Sequence, residues 1–146
     1  MAFLEANFLA LRFELHVPQR FGRWLRRAHR IDPYSFPALE AAFEDGRLTK
    51  DDLDALAAAD LVVAGSAWDD GEQLCFAVEI SSTIHSGDVT RALERTAILA
   101  RAGLRAKPFV AGFAVSEPAQ RRLDAIDAVV CIVQKRRYVP DEEPAE

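Results

Sequence analysis

The chain has 146 residues, half of them hydrophobic and 28% charged, enough for one ordinary core and too few for two. A formal net charge of −5 excludes a generally basic coat for nucleic acid, which needs surplus Lys and Arg, and leaves room only for a local basic patch. No apolar run approaches the ~20 residues of a membrane helix, and Cys75 and Cys131, both inside β-type apolar runs, read as reduced thiols of a cytoplasmic protein.

Met1 to Val17 is rich in Phe and Leu, and its pattern fits a strand or a buried helix equally well. It lacks the basic leader and cleavage pattern of a secretion signal and is expected to belong to the fold. Its apolar character hints at self-association, hence at a homodimer. Gln19 to Arg30 has helical spacing, with Phe21, Trp24, Leu25 and Ala28 on one side and arginines around the other. Residues 32–36 break that pattern. A helix is then expected from about Pro37 to Glu44, stopped at Asp45-Gly46, and another from Lys50 to Ala58, capped by Thr49 and acidic at its start.

Asp60 to Ala64 and Leu74 to Ile80 read as two strands of a β-hairpin, with Trp68-Asp-Asp-Gly as its turn. Asp88 to Ala102 is an amphipathic helix with Gly103 as its stop. Pro108 to Phe113 is a short apolar strand, and Ser116 caps a helix to about Ala125. Ala128 to Val133 is a continuous apolar strand suited to burial on both faces. The order predicts an α/β fold with a mixed central sheet flanked by helices. Residues 1–36 form an N-terminal apolar and basic helical segment, 37–135 the α/β core, and 136–146 an acidic flexible tail.

One residue in the second strand is out of character. Side chains alternate across a sheet, so Cys75, Ala77, Glu79 and Ser81 share one face and Phe76, Val78 and Ile80 the other. A carboxylate at the end of an apolar strand is costly to bury unless it is paired, hydrogen-bonded or bound to a metal. Asp60 opens the neighbouring strand, so the two acids can meet at one end of the sheet. The alternatives are a strand-entry or capping role for Asp60 and a salt bridge from Glu79 to Arg91 or Arg95.

Asp60-Leu-Val-Val on one strand, Glu79-Ile-Ser81 on the next and a helix just after resemble the PD-(D/E)XK nuclease superfamily over roughly residues 37 to 133. The stretches Asp45-Gly-Arg-Leu-Thr, Ala59-Asp-Leu-Val-Val, Val78-Glu-Ile-Ser, Asp88-Val-Thr-Arg and Arg101-Ala-Gly-Leu look similar to an uncharacterised bacterial branch in which serine follows the Glu. The resemblance implies a restriction-endonuclease-like core. It also implies Mg2+ or Mn2+ held by Asp60 and Glu79, and cleavage of DNA or RNA phosphodiesters by a metal-activated water. Ser81 stands where the superfamily has a lysine, which leaves a catalytically inactive nucleic-acid or protein interaction module as the alternative.

A serine hydroxyl aligns a water but supplies no positive charge. Arg91, early in the following helix, is the nearest replacement cation and stays protonated. A third acid in this superfamily comes from the helix before the hairpin, which singles out Glu40 ahead of Glu44; the plainer reading of both is a solvated helix surface. His85, in the loop before the helix, reads as exposed, and Trp68-Asp-Asp-Gly-Glu as a turn. Arg23, Arg26, Arg27 and Arg30 belong to the one locally basic segment and are candidates for nucleic-acid contact; a solvated helix face pairing with the acids of residues 51–54 is the alternative. No Gly-rich phosphate loop, nucleophile elbow or zinc-type Cys/His spacing occurs.

Overall fold

A computed structural model describes residues 2–134, the side chains of residues 2 and 3 excepted. Helices α1 (Ala2–Leu15) and α2 (Val17–Phe21) lead into strand β1 (Leu25–Arg30). Helices α3 (Pro37–Glu44) and α4 (Lys50–Ala57) follow, then β2 (Leu61–Ala67), β3 (Gln73–Ile80), the short β4 (Thr83–Ile84) and the long α5 (Ser86–Arg101). The chain continues through β5 (Ala106–Gly112), β6 (Ala114–Val115), α6 (Glu117–Asp124) and β7 (Val129–Ile132). The expected acidic tail, 136–146, lies outside the described residues.

The main sheet has the order β1-β2-β3-β5-β7. β1, β2 and β3 form an antiparallel meander, and β5 and β7 add in parallel after crossovers through α5 and α6. Pleating sends Phe76, Val78 and Ile80 to one face, against Leu9 and Phe13 of α1 and Phe21 of α2. Cys75 and Ala77 go to the other, against Leu39, Leu53, Leu56, Ile98 and Leu99 of α3, α4 and α5. A third cluster joins Val89 and Ala92 to Val110, Ala119 and Leu123, so α6 packs beside α5. This is the expected α/β fold with a mixed sheet between helices.

The caps are as the sequence predicts. The Thr49 hydroxyl accepts the Asp52 N–H at 3.1 Å while the Asp52 carboxylate accepts the Thr49 N–H at 2.9 Å, and Ser116 caps α6 through the Ala119 N–H.

Two expectations are corrected. The helix read over residues 19–30 ends at Phe21, and Leu25–Arg30 is instead a strand paired with β2, so the sheet begins before residue 37. The cause is a β-bulge. The register shifts between Arg26 and His29, Arg27 takes φ 54°, and the inward residues Leu25 and Ala28 fall three apart, a spacing that mimics a helix. Gly65 on β2 makes room for the bulge, since a Cβ there would come 2.7 Å from the Arg26 carbonyl oxygen. The second correction concerns residues 128–133. β7 lies at the sheet edge, half-buried, with Ile132 half exposed, rather than being covered on both faces.

Candidate metal and nucleic-acid site

The β2–β3 register pairs Leu61 with Val78, which brings Asp60 and Glu79 level at one end of the hairpin. Glu79 is 5% exposed, on the face covered by α5. Asp60 is exposed as a residue, yet its carboxyl group is crowded by protein and Oδ2 accepts the Ile80 N–H at 2.7 Å. A second buried acid sits close by: Asp88, also 5% exposed, in the first turn of α5. Its Oδ2 accepts the His85 N–H at 2.8 Å, tying the helix start to the loop, and its Oδ1 accepts the Ser81 hydroxyl at 2.9 Å.

Two arginines one turn apart on α5 answer these acids. Arg91 bridges Glu79 through Nε at 3.3 Å and Asp88 through Nη2 at 2.5 Å. Arg95 binds the other Glu79 oxygen through Nη1 and donates Nε to the Ala55 carbonyl at 2.8 Å. Both oxygens of Glu79 are thus engaged, as its structural alternative expects. Arg91 is half exposed while Arg95 is almost enclosed, at 49% and 13% of their side-chain surfaces, so Arg91 has the freedom to swing away and Arg95 does not. Ser81 is fixed as a donor to Asp88, and His85 stays exposed at the helix N-cap.

Glu40 lies on α3, where it lines a groove with Tyr34, Phe43, Glu44, Lys50 and Leu53. Among the described residues no group of three or more His, Cys, Asp or Glu is arranged to hold a metal ion. Glu40 is therefore not brought to Asp60 and Glu79 as a third ligand. Asp88 is the acid that sequence reasoning missed. Its signal was present, an acid three residues into the helix that follows the Glu-x-Ser motif, but in the sequence it marked the helix start and one stretch of the resemblance and was not singled out as a site acid.

Burial holds the carboxyls of Asp60 and Glu79 above their ordinary range. Against it, Asp60 has the Ile80 N–H and the charge of Arg95, and Glu79 has Arg95 and Arg91; Asp60 and Glu79 also repel. The native state therefore keeps protons that the unfolded chain has shed. The stability these two groups contribute is full below about pH 4 and is lost as pH rises through their native values. Asp45 and Asp70, which are exposed, and Asp52 and Asp54, which are half-buried, are held low mainly by hydrogen bonds and act in the opposite sense. Asp60→Asn keeps an oxygen for the Ile80 N–H and removes the charge. It is expected to melt above wild type near about pH 7 and level with it near about pH 3.5, read by thermal unfolding at both values. A lower melting temperature at neutral pH would show that Asp60 is not held in a desolvated setting.

The basic segment is split by its new structure. The Arg23 guanidinium lies 5.5 Å over the Trp24 ring and that of Arg26 5.5 Å over Trp68, whose Nε1–H donates to the Gly22 carbonyl. Arg30 is paired with Glu14. Arg27 is exposed on the bulge, where charged side chains also protect an edge strand from pairing with other chains. Arg23, Trp24 and Trp68 line a groove of about 260 Å³ with Phe76, Arg105 and Lys107. Leu74, near the start of β3, also lines this groove, and Phe76 points to the sheet face opposite Glu79, so the groove opens away from the acids. Arg105 and Lys107 are partly neutralised there by Asp70 and Asp127.

The chain matches no known family model, no curated protein and no solved structure. The functional reading therefore rests on the site itself. Among the described residues no helix is long and apolar enough to cross a membrane.

Proposed function

We propose that the chain is a metal-dependent phosphodiester hydrolase of the PD-(D/E)XK type, built on a restriction-endonuclease-like core, with Asp60 and Glu79 as its cation-binding carboxylates. The observation that carries this reading is the meeting of Asp60 and Glu79 at one hairpin end, where burial raises both pKa values and a neighbouring acid adds to it, Asp88 for Asp60 and Asp60 for Glu79. Crowded, desolvated acids are a common signature of a site tuned for chemistry.

The donor set fits Mg2+ or Mn2+: hard carboxylate oxygens, few in number, as expected where waters and substrate phosphates complete the coordination. When bound, such an ion lowers the pKa of a water and neutralises charge on the phosphoryl group. The chain's own residues divide the remaining work. By turning outward Arg91 releases Oε1 of Glu79 while Arg95 keeps Oε2, and the Arg91 guanidinium then faces the charge of the phosphate. Asp88 holds the Ser81 hydroxyl at the strand end, where it orients a water by hydrogen bonding. Arg95 stays against Ala55 and anchors Glu79.

The engagement of both Glu79 oxygens by arginine supports the second reading, a catalytically inactive interaction module. In either reading the groove beside Trp24 and Trp68 offers aromatic faces and cations to a nucleic acid. The discriminating experiment is calorimetric titration of MgCl2 and MnCl2 into wild type, Asp60→Asn and Glu79→Gln, with cleavage of labelled single-stranded and duplex DNA and RNA. Metal uptake and cleavage by wild type, lost in both variants, are the expected results. Neither uptake nor cleavage by wild type, even with substrate present, would leave the interaction module.

A further inference from the structure

We infer that the outer face of α1 is a dimerisation seam that receives a second copy of this chain. The helix is apolar on two sides. Leu9 and Phe13, at 1% and 0% exposure, pack against the sheet, whereas Leu4, Phe8, Leu11 and Leu15 stand 64%, 66%, 46% and 65% exposed. Half of the large apolar side chains left open among the described residues therefore lie on this one helix face. Inward packing of Leu9 and Phe13 fixes the helix, so the outer row cannot be hidden by rotation.

The spacing of that row says what covers it. Steps of four, three and four residues make one continuous stripe of the kind that seals helix against helix. The stripe is also symmetric about its centre. An antiparallel second copy sets Leu4 against Leu15 and Phe8 against Leu11, and each contact occurs twice, as a two-fold interface requires. An unrelated partner would not call for that symmetry. A lipid surface fits poorly, because helices that lie on membranes flank their apolar side with Lys and Arg, while α1 carries Glu5, Arg12 and Glu14, of which Glu14 is already held by Arg30. The paired stripes cover roughly 1,000 Å², about the minimum for a specific interface. The inference is independent of the metal site.

Sedimentation of the full chain over a concentration series is the test. Wild type is expected to be a dimer at about 50 μM and to dissociate on dilution towards about 1 μM. The doubly substituted Phe8→Glu, Leu11→Glu chain is expected to be monomeric, with unchanged circular dichroism because those side chains support no core contact. Mixing it with a Phe8→Lys, Leu11→Lys chain is expected to restore a dimer, because every Glu on one stripe then faces a Lys on the other. A wild type that stays monomeric throughout, with or without affinity for vesicles or another protein, overturns the inference. So does a Glu variant that remains a dimer.

Discussion

Glu79→Ala is expected to destabilise the protein by about 3–5 kcal/mol, the largest single effect of any side-chain truncation at the acid cluster. The variant strips Arg95 of its charge partner while the guanidinium remains 13% exposed and tethered to the Ala55 carbonyl. The charge of Asp60 still acts on Arg95, but the hydrogen-bonded partner is gone, and a buried cation without one gives up its hydration for little in return. Arg91 loses less, because it is half exposed and keeps Asp88. Pairing the change with Arg95→Leu, as Glu79→Leu with Arg95→Leu, removes both charges and is expected to recover most of the loss, since a buried ion pair and an apolar pair of similar volume are often close in stability. Denaturant midpoints at constant slope, for the single and double variants, measure both quantities. A single-variant cost below about 1 kcal/mol would mean that the pair is effectively solvated.

The same double variant bears on function. Arg95 and Glu79 form a network strong enough to explain the retention of an acid at the strand end without any cation. What the network does not explain is Asp60. Its carboxyl is crowded and repelled by Asp88, and against that it has one hydrogen bond, from the Ile80 N–H, and the charges of Arg95 and Arg91. A group that raises the free energy of the folded state at neutral pH is a natural candidate for binding, and this asymmetry between Glu79 and Asp60 is why Asp60→Asn separates stability from metal uptake.

Much of this arrangement was legible in the sequence, for stated reasons. Glu79 stood out because it broke the apolar alternation of a strand, and Asp60 because it opened the adjoining strand. Their meeting follows from hairpin geometry alone. The two arginines were visible as helix-spaced partners. Asp88 was not, because an acid in the first turn of a helix is ordinary and its burial depends on how β3, β4 and α5 converge. Glu40 pointed the wrong way for a related reason: helix spacing gives a face but not the direction in which a loop sends the helix. β1 was misread because a bulge turned a two-residue period into three, and α1 stayed ambiguous because it is apolar on both sides. Periodicity reports local geometry, and each failure lies where a long-range contact sets the outcome.

One such contact makes a glycine decisive for the site. Gly112, at the end of β5, packs against the bend where β3 ends, and a Cβ there would lie 2.4 Å from the Ser81 carbonyl oxygen and 3.1 Å from Ile84 Cγ1. The obstacle is backbone, not a flexible side-chain tip. It is pinned from several directions: the Ser81 N–H donates to the Ala111 carbonyl at 3.0 Å, the Phe113 N–H to the Ser82 carbonyl at 2.9 Å, and β4 pairs with β6 just beyond. Gly112→Ala must therefore push β3 and β5 apart where Ser81 meets Asp88. The expected cost is about 3 kcal/mol, the upper end for overpacking, and the shift also withdraws the Ser81 hydroxyl from Asp88 and disturbs the hold of Asp88 on Arg91. Urea unfolding measures the first effect. Ser81→Ala supplies the comparison for the second, because it removes the hydroxyl without moving the strands and is expected to cost only about 1 kcal/mol. If Gly112→Ala were no more destabilising than Ser81→Ala, the two strand ends would be free to separate, and the close packing that positions Ser81 and Asp88 would not be a constraint of the fold.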